Sequence, residues 1–184
     1  MVSVDSTLAK LNAYLRKPIT PEKLGEVLFA LGFELENDDP AHLKFDITAD
    51  RPDMISTAGV ARVLNAYLGY APGIPRVEKK PSTYQIKVEK SVQPLRPYTA
   101  AMVVKNLSLN AERLEELIYV QEKIHATFAR ERKKAAIGIY PLSKIAWPIS
   151  FVGVHPDKVS FTPLGETSPK TAREILDSHP AGKK

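Results

Sequence analysis

Residues 109–140 read LNAERLEELIYVQEKIHATFARERKKAAIGIY. At 100° per residue, Leu114, Leu117, Ile118, Ile124 and Phe128 fall within one 120° arc, so the spacing predicts an amphipathic helix from Asn110 to Ala129 with that arc toward a core. Gln121 and His125 lie in the same arc, one turn apart, and can reach a common site. Left unpaired there, each would cost about 1–3 kcal/mol. Two readings stand: they satisfy backbone groups at a seam between elements, or they line a pocket. The run Arg130-Glu131-Arg132-Lys133-Lys134 follows. Its cations complement the negative end of the helix dipole. If the helix continues, Arg132 joins the face of Gln121 and His125, where a guanidinium can hold a phosphate or carboxylate. Ala135–Tyr140 predicts a strand closed by Pro141. Gly138 within it marks a bulge or the close approach of a backbone or ligand.

On the N-terminal side of this helix, Tyr98–Val104 is a nearly continuous apolar run, as in a buried central strand, and Tyr84–Val88 alternates. On its C-terminal side, Ile149–Val154 predicts another strand and Lys170–Leu176 a short helix. Residues 71–82, APGIPRVEKKPS, hold three prolines and no period, and predict a linker. Before it, Leu8, Leu11 and Leu15 predict a helix capped by Asp5 or Ser6. Thr20-Pro21 opens a second helix whose core face is Leu24, Val27, Leu28 and Leu31, with Gly32 as its stop. Strands at Phe33–Glu36 and Leu43–Ile47 flank a turn at Asn37–Pro40. A third helix after Ser56 buries Val60, Val63, Leu64 and Tyr67 and ends at Gly69; an aspartate of Asp50-Arg51-Pro52-Asp53 can cap it. The expected class is α+β: a small helix-rich domain over residues 1–75, then a mixed-sheet domain over residues 82–184 that contains the long helix.

The 184 residues are 43% hydrophobic and 26% charged, which excludes disorder and suffices for real cores. There is no apolar run long enough for a membrane span and no signal-peptide pattern at Met1–Asp5, so a cytoplasmic protein without a membrane partner is expected. Cysteine is absent, which removes disulfides and thiolate chemistry. The histidines, His42, His125, His155 and His179, have no metal-binding spacing, so no metal site is expected. There is no P-loop, no G-x-G-x-x-G and no nucleophile elbow. The net charge of +5 is uneven: residues 1–80 hold 10 Lys/Arg and 11 Asp/Glu, residues 81–184 hold 16 and 10. The basic second half points to a polyanion such as RNA, or to ordinary surface lysine.

Two segments together resemble a known family. Asp50-Arg51-Pro52-Asp53-Met54-Ile55-Ser56-Thr57-Ala58-Gly59-Val60-Ala61-Arg62, continuing to Tyr67-Leu68-Gly69, is similar to a segment near the start of the beta subunit of archaeal and eukaryotic phenylalanyl-tRNA synthetase. Gln121-Glu122-Lys123-Ile124-His125, then Arg130, Arg132 and Ala136-Ile137-Gly138-Ile139, resembles a stretch of that subunit's editing domain. Pro163-Leu164-Gly165 and His179-Pro180-x-Gly182 fit the same order. Tyr140-Pro141 departs from it, standing where the family often has His-Asp.

The resemblance implies the N-terminal part of a longer subunit: an N-terminal domain plus the first part of an editing domain. It implies tRNA(Phe) and the synthetase alpha subunit as partners, and ATP and magnesium as requirements of the full synthetase, with no cofactor in this part. It implies proofreading hydrolysis of tyrosyl-tRNA, with Gln121, His125, Arg132 and Gly138 in the editing pocket, against the strands at Tyr98–Val104 and Ala135–Tyr140, and Arg130, Lys133 and Lys134 on RNA phosphate. The general base stays unassigned, and the part alone is expected not to aminoacylate. Two other functions fit the same residues: a non-catalytic RNA-binding or assembly module, and a free-standing hydrolase of misacylated tRNA.

Overall fold

The first sheet grows from the alternation LKFDI, which buries Leu43, Phe45 and Ile47 and leaves Lys44 and Asp46 half-buried. In the computed structural model, which describes residues 2–48, 50–180 and 182, this stretch is the central strand of three. The order is β1 (Val2–Ser6), β3 (Leu43–Ile47), β2 (Glu34–Asn37), all antiparallel. Val4 lies opposite Phe45, and both are fully buried. Strand β1 was not expected. Because it takes Asp5 and Ser6, the cap of α1 (Leu8–Tyr14) falls to Thr7, whose side chain accepts from the Lys10 N–H at 3.0 Å.

Helix α2 (Pro21–Ala30) starts as predicted, the Thr20 hydroxyl accepting from the Lys23 N–H at 3.3 Å. Gly32 ends the turn at φ +78, a region costly for any residue with a Cβ. Helix α3 (Thr57–Tyr67) is capped by Ser56, which accepts from the Gly59 N–H at 3.1 Å, rather than by an aspartate. Asp53 is engaged by Arg51 instead, through two hydrogen bonds of 3.0 and 2.9 Å, and its carbonyl accepts from Arg62 at 2.9 Å. A Cβ at Gly59 would collide with that Asp53 carbonyl, so the glycine lets the turn Pro52–Met54 lie on α3. Leu11, Leu24, Leu28, Val60 and Leu64 from the three helices meet the sheet in one core. Tyr67, expected inside, is exposed.

The chain divides into two compact units that are not consecutive in sequence: Met1–Glu78 with Leu109–Ala135, and Lys79–Ser108 with Ala136–Lys184. The long helix, α4 (Ala111–Ala126), therefore belongs with the first unit and not with the mixed-sheet domain expected to contain it. The reason is polar. Lys123 Nζ donates to the Ser3 carbonyl at 2.8 Å, and Lys10 Nζ meets Glu116 Oε2 at 2.5 Å. Ser3 lies on β1, an edge strand, so α4 takes up an edge carbonyl. The predicted apolar arc is only partly buried. Leu114, Ile118 and Phe128 are exposed, while Glu116 and His125 are the buried residues of the helix.

In the second unit, β4 (Ile86–Val88) pairs in parallel with β5 (Ile149–Phe151), and β6 (Ser160–Phe161) pairs antiparallel with β7 (Lys170–Thr171). Helix α5 (Ala172–Ser178) follows β7 and carries a capping box of Thr171 and Glu174. The Gly153 N–H donates to Ser91 Oγ at 3.0 Å beside the β4–β5 pair. Residues 98–104 and 135–140 are not strands, contrary to expectation, because neither forms a ladder with any described strand. Residues 152–154 likewise lie outside β5. The α+β class holds. Among the described residues, no helix is long and apolar enough to cross a membrane.

Candidate functional site

Helix α4 opens at Asn110, whose side chain accepts from the Arg113 N–H at 2.9 Å, and closes at Ala126, three residues before the predicted end. Thr127 ends it: its hydroxyl donates to the Lys123 carbonyl at 2.7 Å, competing with the helical ladder. The chain then folds back through three consecutive left-handed residues, Arg130, Glu131 and Arg132, at φ 48, 53 and 64. Backbone bonds from the Glu131 N–H to the His125 carbonyl (2.8 Å) and from the Lys134 N–H to the Ala129 carbonyl (2.9 Å) fix this turn. Arg132 thus reaches the last turns of α4 from beyond the helix, not as a continuation of it.

Glu122 is the meeting point. One nitrogen of Arg132, Nη2, lies 2.6 Å from its Oε1 and 2.8 Å from its Oε2. The His125 ring nitrogen Nδ1 lies 3.3 Å from Oε1, and His125 is 2% exposed. The hydrogen bond from Arg132 is the main cause that holds the Glu122 carboxyl below the usual glutamate range; partial desolvation acts in the other direction and His125 adds to the lowering. Glu122 sits inside the quoted Gln121–His125 segment but was not selected from the sequence. Its i,i+3 spacing to His125 was the available signal.

Of the predicted residues, His125 and Arg132 converge, through Glu122. Gln121 is half-buried on the same helix. Arg130, Lys133 and Lys134 are exposed on the turn. Gly138 lies in the other unit, where a Cβ would meet the ring of Tyr140 within 2.7 Å, so the group that approaches this glycine is Tyr140. Charge separates sharply between the units: the first holds 14 Lys/Arg and 16 Asp/Glu, the second 12 and 5, a net of +7. Among the described residues, no group of three or more His, Asp or Glu side chains could hold a metal ion. With no P-loop either, the residues present do not fit an ATP–magnesium site.

No protein-family model matches the chain. Individual proteins do. The phenylalanine–tRNA ligase beta subunit of Methanocella arvoryzae is 38% identical over 162 residues, covering 88% of this chain and 29% of that subunit. The beta subunit of Methanosphaera stadtmanae is 31% identical over all 184 residues, 33% of its length. A crystal structure of an N-terminal fragment of the phenylalanyl-tRNA synthetase beta subunit from Pyrococcus horikoshii superposes with a TM-score of 0.87 at 31% identity, over 98% of this chain and 53% of that one. Fold and sequence together place the chain among the subunits of aminoacyl-tRNA synthetases. In particular, it is related to the beta subunit of phenylalanine–tRNA ligase, and it spans about a third of the length of those relatives.

Proposed function

We propose that the chain serves as the N-terminal part of a phenylalanine–tRNA ligase beta subunit and contributes to tRNA recognition and to proofreading of tyrosyl-tRNA(Phe). The observation that carries this reading is the relation to such subunits along nearly the whole chain. The need is chemical. Tyrosine differs from phenylalanine by a hydroxyl, which a largely apolar pocket rejects only about 10²-fold, so a second, hydrolytic site adds fidelity. An ester is already activated, and a positioned water suffices without a covalent nucleophile.

In this reading the net +7 of the second unit and the exposed Arg130, Lys133 and Lys134 supply phosphate contacts. Arg132 and Gln121 contact the acyl-adenosine end. His125, buried and set against Glu122, positions its neighbours rather than accepting a proton from substrate. Arg132 exchanges the Glu122 carboxylate for a phosphate or carboxylate of the ligand, a change its half-exposed geometry permits. The alpha subunit, ATP and magnesium would act on aminoacylation elsewhere in the full synthetase, in a cytoplasmic enzyme.

The test uses full-length synthetase carrying this region. Gln121→Ala and Arg132→Ala should each slow hydrolysis of tyrosyl-tRNA by about 5- to 150-fold, corresponding to about 1–3 kcal/mol, while phenylalanine charging stays nearly intact. Equal losses in both reactions would assign these residues a structural role. The chain alone should charge no tRNA.

A further inference from the structure

We infer that the first unit carries a binding groove for a small organic anion, a carboxylate or phosphate head on an apolar body, between the end of α1, one face of α3 and the chain that leaves α3. The groove has a volume of about 540 Å³, within the range of small-molecule sites. Tyr14, Leu15 and Arg16 form one wall, Ala58, Arg62 and Asn65 a second, and residues 71–75 a third. All of them lie within Met1–Glu78, and none belongs to the α4 site.

One buried residue ties the three walls together. Asn65 is 7% exposed. Its Oδ1 accepts from the Arg16 N–H at 2.8 Å, and its Nδ2 donates to the Tyr14 carbonyl at 3.1 Å. Its own carbonyl accepts from the N–H groups of Tyr70 and Ala71, at 2.8 and 3.1 Å. Gly73, at φ +92, then turns the third wall, in a conformation costly for any residue with a Cβ. The walls are thus held in place before a ligand arrives, which spares the ordering entropy that a loose site loses on binding.

The chemistry of the lining says what fits. Two arginines line the groove and no carboxylate does. Arg62 Nη2 donates to the Asp53 carbonyl, an uncharged acceptor, while the Asp53 carboxylate is held by Arg51. Arg16 is exposed, and among the described residues neither Arg16 nor Arg62 makes an ion pair. A guanidinium binds a carboxylate or a phosphate by paired hydrogen bonds. In the same lining Tyr14 and Ile74 are 41% and 92% exposed, so apolar surface stands open next to the two cations. A bare phosphate ion would leave that surface wet, and a neutral apolar molecule would leave both guanidiniums unmatched. A nucleic acid is the weaker occupant, because the first unit carries 14 Lys/Arg against 16 Asp/Glu and repels a polyanion around the groove. The inference stands apart from the editing and tRNA-binding reading, since no lining residue enters it.

Titration of the whole 184-residue chain, followed by amide NMR, tests it with four probes: benzoate, phenyl phosphate, inorganic phosphate and benzyl alcohol. Benzoate or phenyl phosphate should bind saturably and shift the amides of Arg16, Ala58, Arg62 and Gly73, and the tighter of the two identifies the head group. Inorganic phosphate and benzyl alcohol should each bind at least about tenfold more weakly. Arg16→Gln removes one cation at an exposed position and should weaken binding by about tenfold or more. Ala13→Trp, at another exposed position of the lining, fills the groove and should abolish binding. Both variants should keep the native thermal transition; if one does not fold, the other decides. Benzyl alcohol binding as tightly as the anions, native affinity in the folded variants, or shifts scattered over the surface would each overturn the inference. So would an acidic peptide or an oligonucleotide that shifts these amides where neither small anion does.

Discussion

Gly59 is a single hydrogen where any other residue carries a carbon. Its N–H donates to Ser56, and the Asp53 carbonyl lies where a Cβ would stand. That carbonyl also accepts from Arg62, so it cannot move aside cheaply. Gly59→Ala should therefore destabilise the protein by about 1–3 kcal/mol, despite the better helix propensity of alanine, as read from urea denaturation. A stabilised variant would show that the turn yields. Glu122 offers a second test. Arg132 holds its carboxyl below the usual range, so in the folded protein it stays charged at a pH where the unfolded chain has begun to protonate. Its contribution is present above the unfolded value and is lost as the pH falls through the folded one. The stability difference between the native protein and Glu122→Gln should be present at neutral pH and shrink on acidification. A difference independent of pH would refute the link to the Arg132 pair.

At the scale of elements, α4 shows how a helix can dock through its polar side. Lys10 and Glu116 form the pair that joins it to α1. Burial opposes the charge on Lys10, but the Glu116 hydrogen bond and charge outweigh it and hold the lysine above its ordinary value. Glu116 is the more buried partner, and its other oxygen, Oε1, has no partner among the described residues. Lys10→Ala leaves that carboxylate uncompensated and should cost about 1–3 kcal/mol. Adding Glu116→Leu should recover most of the loss. A double variant less stable than the single one would mean that the ion pair itself, not the relief of a stranded charge, holds the helix.

For the whole molecule, the interleaving of the two units has a mechanical consequence. The proline-rich stretch 71–82 is exposed for most of its length and should be the first site of limited proteolysis. Cleavage there would not release a free N-terminal domain, because α4, on the other side of the cut, supplies Lys123 and Glu116 to β1 and α1. The nicked protein should run as two bands on a denaturing gel and as one species by size exclusion. Two separable pieces in native buffer would show that these contacts are too weak to hold α4 in place.

Strands β2 and β3 and the three helices packed on them were legible in the sequence, though β1 was not, because Leu43–Ile47, Leu24–Leu31 and Val60–Leu64 alternate or repeat with the period of the element they form, and Thr20, Ser56 and Gly32 punctuate them. The family was legible too, since Asp50–Gly69 and Gln121–Ile139 hold their residues in a fixed order. Tertiary structure alone decided where α4 sits. Periodicity reports that a helix has an apolar face, not that a lysine and a glutamate opposite it will find Ser3 and Lys10 some 110 residues away. Nor can a local pattern show that Arg132 returns by a left-handed turn to Glu122. The missing strands at 98–104 and 135–140 follow from the same limit: alternation makes a segment competent for a ladder, but the ladder exists only where a second strand is at hand to accept its backbone hydrogen bonds.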